Sequence, residues 1–287
     1  MIAVLLSIFA GLCWAAHDQF ARLSAERVGP LRTALAVMIL GGGIITPYVL
    51  WHGAILHETG EAVLLSLGLG VGYALGAAGI FKAFSLGPVS IVAPLTSAYP
   101  IIVLGWRLIS GVRPTPLQWV ASALTLAGAV VVGRTGRDDG GLSSVKSGKM
   151  PTLVAWCLLS AFGYATAVIM GQRVGPMMGN FEATWVSRFS AALTVWLFIV
   201  GEPHHTKIER RQWGGILAMA ILDAAGITAV NASGAFPEAE FAAIGITIYA
   251  GAGVVMAALF LRERVSFNQW IGVGTIVLGV VLLGWPQ

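Results

Sequence analysis

The chain has 287 residues, 57% of them hydrophobic and 10% charged, with a formal net charge of +4 and a mean hydropathy of +0.83. A single soluble core cannot bury so much apolar side chain, so the composition excludes an ordinary globular domain and points to a polytopic membrane protein. The basic residues are scattered through the chain, which argues against a nucleic-acid surface, and Cys13 and Cys157 both lie inside apolar runs, which argues against a disulfide framework.

A membrane helix needs about 17 to 25 mostly apolar residues. Ten such runs are present, near 2–24, 32–52, 62–82, 88–108, 117–134, 152–172, 183–201, 213–233, 240–261 and 267–285. The first holds Trp14, His17 and Asp18 and leaves the membrane through Arg22, Glu26 and Arg27. Trp14 and His17 share a helix face. His17 and Asp18, about 100° apart around the axis, are expected to look in different directions.

The second run opens near Arg32 and contains Gly41-Gly42-Gly43. In the third, Gly68, Gly72 and Gly76 recur at the four-residue spacing that lets membrane helices approach closely, and Tyr73 lies among them. Lys82 ends it, reading either as a side chain that reaches back to the surface or as an inward cation for a carboxylate.

The fourth run is the odd one. Pro94 and Pro100 sit six residues apart inside it, and an interior proline costs a helix about 3 kcal/mol in water. In a membrane such breaks survive where neighbouring helices or a wet hollow satisfy the freed carbonyls, so this span, with Ser97 and Tyr99, is a cavity candidate. A turn with Arg107, Arg113, Pro114 and Pro116 leads to the fifth run. The polar, glycine- and serine-rich stretch 135–151 reads as a flexible joint.

The second half retraces the first. Gln118-Trp119 recurs as Gln269-Trp270, an offset of 151 that lays Pro94 on Gly245 and Pro100 on Gly251. Arg27-Val28-Gly29-Pro30 recurs as Arg173-Val174-Gly175-Pro176, Ala77-Ala78-Gly79-Ile80 as Ala224-Ala225-Gly226-Ile227, and Trp14 matches Tyr164. Five spans per copy is an odd number, so the copies lie upside down relative to each other. The expected fold class is all-α integral membrane, with ten transmembrane helices as two inverted five-helix repeats around a central cavity. The units expected are 1–134, a linker 135–151, and 152–287.

These residues resemble the drug/metabolite transporter superfamily in its ten-span form of two EamA-type repeats. The resemblance rests on the aromatic in the first span of each half (Trp14, Tyr164), the arginine opening the second span (Arg32, Arg188), the stretch AFSLGPVSIVAPLTSAYPI from Ala83 to Ile101, and the basic turn followed by Gln-Trp and a glycine-rich last span. It implies a secondary transporter of small organic metabolites, exporting amino acids across a bacterial inner membrane by alternating access, without a cofactor. The expected partners are a small-molecule substrate and the lipid bilayer, with the chain working as a monomer. The small multidrug relatives use a glutamate deep in their first span, and here the first glutamate is Glu26, beyond it. Phosphorylated-sugar exchangers need fixed cations facing the anion, which the central turns of spans four and nine lack. A neutral or zwitterionic substrate fits better. An efflux carrier for lipophilic drugs or cations is the alternative within the superfamily, and a membrane-embedded enzyme or a passive channel the alternatives outside it.

The substrate cavity is expected to involve Trp14, His17, Tyr73, Ser97, Tyr99, Tyr164, Asn231, Thr247 and Tyr249. The bland reading of the aromatics is an interfacial belt, and of Ser97, Asn231 and Thr247 a bond to a nearby helix carbonyl. Asp223 stands halfway along span eight, where a charge costs at least about 2.5 to 3.5 kcal/mol, so it should face inward, paired or protonated. Asp223, His17 and Asp18 are the candidates for proton coupling, with polar glue as the other reading of Asp223. Pro94, Pro100, Gly245 and Gly251 supply the bends. His204-His205 lacks further ligands at useful spacing, so no metal site is expected. Of 17 Lys and Arg, 13 fall by the odd connections and 4, counting Arg188, by the even ones, which would put both termini outside, whereas the resemblance implies both termini inside.

Overall fold

A computed structural model describes residues 1–24, 29–52, 59–87, 89–135, 149–200, 208–260, 262 and 265–285. Glu26, His204, His205 and most of the predicted linker lie outside these residues. Among the described residues every regular element is helical: α1 Ile2–Ser24, α2 Pro30–His52, α3 Gly60–Phe84, α4 Val89–Thr96, α5 Tyr99–Ile109, α6 Pro116–Thr135, α7 Met150–Met178, α8 Asn180–Ile199, α9 Trp213–Ser233, α10 Ala242–Gly245, α11 Ile248–Phe260 and α12 Phe267–Leu283. Two short 3-10 turns, Arg210–Gln212 and Ala239–Phe241, precede α9 and α10. Seven described stretches are long and apolar enough to cross a membrane, and Tyr99–Ile109 and Phe267–Leu283 are shorter apolar helices. The protein is an integral membrane protein. Its many exposed Leu, Ile, Phe and Trp side chains, such as Leu50, Trp51, Leu193 and Leu259, suit a surface wetted by lipid.

Both broken spans are interrupted near their middle. Helix α4 stops at Thr96 and α5 starts at Tyr99. Pro100 explains the stop, because its ring supplies no N–H for the Thr96 carbonyl four residues back and crowds that oxygen. In the second half the gap falls at 246–247, with Gly245 ending α10 and Gly251 inside the unbroken α11. Each gap is closed by tighter bonds to the third residue back, Ala98 N–H to Leu95 O at 3.4 Å and Thr247 N–H to Ile244 O at 3.0 Å.

Small residues set the helix crossings. Helix α3 lies against α7, where a Cβ at Gly72 would come within 2.8 Å of the Gly163 carbonyl and one at Gly163 within 2.5 Å of the Gly76 nitrogen. Ser160 Oγ donates to Gly76 O across this crossing at 2.8 Å. The same device joins α6 to α12, where a Cβ at Gly128 would meet the Gly272 carbonyl at 2.7 Å. Without a water-driven hydrophobic effect between helices, such close packing is what holds them together. Helix α1 packs on α9 and α11, and α2 on α8 and α9, so helices from residues 1–134 alternate with helices from 152–285. One cluster of the core, with Ala10, Val103, Val168, Val230 and Ile246, joins α1, α5, α7, α9 and the 246–247 gap.

Candidate functional site

Asp223 sits at the midpoint of α9 and is 2% exposed. Three other helices serve its carboxylate. Arg188 Nη1 on α8 donates to Oδ2 at 2.5 Å, while Tyr73 Oη on α3 and Trp14 Nε1 on α1 donate to Oδ1 at 2.6 and 2.9 Å. Arg188 Nη2 also reaches the Asp223 carbonyl at 3.5 Å, and its guanidinium carbon stands 5.1 Å from the centre of the Tyr73 ring. The two charges thus have a counter-ion, neutral donors and an aromatic face, the support a buried pair needs. Of the two arrangements expected of an inward Asp223, paired or protonated, the geometry is that of a pair.

Room for the arginine comes from α2. Cβ atoms at Gly41 and Gly42 would touch Arg188 Cδ and Cβ at 3.6 and 3.3 Å, whereas Gly43 faces open space. Arg188 is 1% exposed and is the ninth residue of α8, so it does not open its span as Arg32 opens α2. Placing it among the loop cations was wrong: α8 begins at Asn180, two turns before it. The signal that could have found it is the pairing requirement of Asp223 together with two adjacent glycines.

A second group grows from Tyr73. Its ring meets Tyr164 of α7 edge-on with centroids 5.8 Å apart, and Tyr164 meets Tyr99 of α5 at 6.1 Å. Trp14 lies over Gly226 of α9, where a Cβ would come within 3.1 Å of the indole. Trp14, Tyr73, Tyr99 and Tyr164 are all half-buried, keeping part of each ring uncovered.

A third group joins α1 to α11. His17 Nδ1 is 2.9 Å from Asp18 Oδ1, and Tyr249 Oη donates to Asp18 Oδ2. Adjacent helical positions diverge at the backbone, yet these two side chains turn toward each other across that angle, contrary to the reading that they look apart. His17 belongs to this group through Asp18 and to the first through its turn-neighbour Trp14.

The remaining predicted residues lie elsewhere. Asn231 is buried between α7, α8 and α9, donating to Thr184 Oγ1 at 3.0 Å, with its Oδ1 unpartnered. Thr247 is buried and points to its own Ala243 carbonyl at 3.5 Å, and Ser97 is half-buried in the α4–α5 gap. Pro94 is within α4 and Pro100 in the first turn of α5. Lys82 occupies the last turn of α3. No group of metal-binding side chains occurs among the described residues.

One cluster had no sequence signal. Arg107, at the end of α5, donates through Nη2 to Gln172 Oε1 of α7 at 2.8 Å. Gln172 Nε2 donates in turn to Ser233 Oγ of α9 at 3.1 Å and to Ala239 O at 2.7 Å. Nearby in the chain, Arg173 pairs with Glu61 at 2.6 Å, tying the end of α7 to the start of α3. These contacts gather helix ends on the face of the bundle from which α1 departs.

Comparison with known proteins agrees with this architecture. An uncharacterized transporter of Archaeoglobus fulgidus is 22% identical over 291 residues, covering 100% of this chain and 99% of that one. A crystal structure superposes with a TM-score of 0.81 at 16% identity, covering 98% of this chain and 95% of the other, a likeness of fold. The EamA-like transporter family matches twice, over residues 1–134 and again over 152–285. With both matches spanning almost all of its length, this chain belongs to the EamA-like transporter family and is a membrane transporter, not an enzyme.

Proposed function

We propose that the chain is a secondary transporter that exports amino acids or closely related small metabolites across a bacterial inner membrane by alternating access. In this reading ten rods form two inverted five-helix repeats, with α4–α5 and α10–α11 as the broken pair. Support comes from the pattern of helix contacts: exchanging the halves turns the α1–α9 contact into α7–α3 and the α1–α11 contact into α7–α5, all of which occur. The double family match supports the same division into 1–134 and 152–285.

The observation that carries the functional reading is the meeting of Trp14, Tyr73, Arg188 and Asp223 at mid-depth, where both halves contribute to one ionised cluster. A charge pair this deep is costly to keep. Beside it, the uncovered faces of Trp14, Tyr73, Tyr99 and Tyr164 form a wall suited to an amino acid with a flat or apolar side chain. His17, Asp18 and Tyr249 continue this wall toward α11. The Arg107–Gln172–Ser233 chain and the Arg173–Glu61 pair then hold one end shut, and they are the contacts that must part when the substrate leaves that way.

The test is counterflow in proteoliposomes preloaded in turn with neutral amino acids, purines, sugars and lipophilic cations. Saturable counterflow of amino acids is the expected outcome. Counterflow confined to lipophilic cations overturns the substrate class in favour of drug efflux, and a flux that neither saturates nor responds to preloading overturns the carrier in favour of a channel.

A further inference from the structure

A cleft of about 470 Å³ opens on the outside of the bundle, away from the charge cluster, lined by Arg32, Leu35, Ala36, Ile39, Leu40, Trp196, Ile199, Val200, Ile208 and Trp213. Its position is defined by helix ends. Arg32 is in the first turn of α2, Trp196 in the last turn of α8, and Trp213 opens α9. All three therefore lie at one membrane boundary, the level at which tryptophan concentrates.

From Arg32 inward the lining follows one helical face: 32, 35, 36, 39 and 40 are spaced three and four apart, and all but the first are apolar. At 1.5 Å per residue this track runs about 12 Å into the apolar layer. Ile39, Trp196, Val200 and Trp213 are each more than two-fifths exposed, so the cleft is open to the surrounding lipid along its length. Among the described residues Arg32 has no hydrogen-bond or ion-pair partner, although it is half-buried. The shape is that of an amphiphile's mould: one fixed cation at the boundary, then an apolar trough.

We infer that this cleft binds an anionic phospholipid, its phosphate on the Arg32 guanidinium and an acyl chain along Leu35, Ile39 and Leu40. Charge complementarity selects the occupant. A guanidinium presents forked N–H donors that match phosphate oxygens, and the exposed Arg210 sits in the turn between the lining residues Ile208 and Trp213. The cleft also lies at the end of the bundle where the described helix ends carry Arg32, Lys82, Lys149, Arg210 and Arg211, a basic end suited to anionic headgroups. A zwitterionic lipid would fill the trough but bring its own cation to Arg32.

The experiment is native mass spectrometry of the purified, delipidated full chain titrated with phosphatidylglycerol or with phosphatidylcholine, alongside thermal unfolding in the same mixtures. Wild type is expected to retain phosphatidylglycerol preferentially and to unfold at a higher temperature with it. Arg32→Gln should weaken that retention about tenfold, as loss of one charge-assisted contact implies, leaving the phosphatidylcholine level unchanged. Ile39→Trp, which fills the trough, should reduce retention of both lipids. Arg113→Gln, an exposed cation at the opposite end, should behave as wild type. Equal retention of the two lipids by wild type, or undiminished phosphatidylglycerol binding by Arg32→Gln, overturns the site. Neither result bears on the transported substrate.

Discussion

Arg188 shows how much a single side chain can demand of its surroundings. A guanidinium held in the middle of a bilayer is tolerable only with a counter-charge and space, and here Asp223 supplies the first and the bare faces of Gly41 and Gly42 the second. Removing one partner strands the other, which costs about 3 to 5 kcal/mol where such pairs have been broken. Arg188→Met should therefore lower the unfolding midpoint in detergent sharply. Adding Asp223→Asn should recover part of the loss, because an amide oxygen still accepts from Trp14 and Tyr73 without carrying a charge. If the double variant is no more stable than Arg188→Met, the pair is not the source of the cost. Transport should fail in both, since the cluster joins the two halves. Asp223 was legible in the sequence because an acid in the middle of an apolar run stands alone. Arg188 was not, because its run is flanked by polar residues and the arginine passes for the first residue of a span.

At the scale of the helix, glycines divide into those that touch and those that do not, and sequence spacing does not separate the two. Gly163 meets the α3 backbone, and Gly43 meets nothing within 4 Å. Gly163→Ala should cost about 1 to 3 kcal/mol by overfilling the crossing, while Gly43→Ala should leave the unfolding midpoint within about 0.5 kcal/mol of wild type. Equal effects would mean that the α3–α7 approach is looser than described. The broken span makes a sharper case. Pro100→Ala restores the N–H that the Thr96 carbonyl lacks and lets α4 run on into α5. Thermal stability should hold or rise, while the initial rate of counterflow falls, and an unchanged rate would detach the bend from transport. The proline pair made this break legible from the chain alone. The second break was foreseeable only through the internal repeat, since no proline marks it and a glycine in an apolar run has many other uses.

For the whole molecule, the chain's pattern of apolar runs revealed its class as an all-helical membrane protein, but not which helix ends are tied together. Arg107, Gln172 and Ser233 are polar residues near span ends, where polar residues are ordinary, and only folding makes them neighbours. Their closure gives a test of the proposed alternating access. In a background with the two native cysteines replaced, Ala239→Cys, whose side chain is buried behind this chain of bonds, should react slowly with a water-soluble thiol reagent. Adding Arg107→Ala should speed labelling about tenfold, a shift of roughly 1.4 kcal/mol toward the state open at that end. An unchanged rate would mean that these bonds do not hold the end closed.

The partners in the deep ion pair both belong to residues 152–285, on neighbouring helices α8 and α9, and only their neutral donors Trp14 and Tyr73 come from the other half. If the proposed alternating access moves the two halves against each other as units, the cation and the anion travel together, so this cluster carries no net charge through the electric field. A transmembrane potential acts on moved charge at about 2.3 kcal/mol per elementary charge per 100 mV, and on this pair it does almost no work. A cycle that moves a zwitterionic substrate without a coupled proton should thus run at a rate indifferent to an imposed potassium diffusion potential, as a machine insulated from the voltage across which it operates, whereas a rate that follows the potential would mean that a proton travels with the substrate.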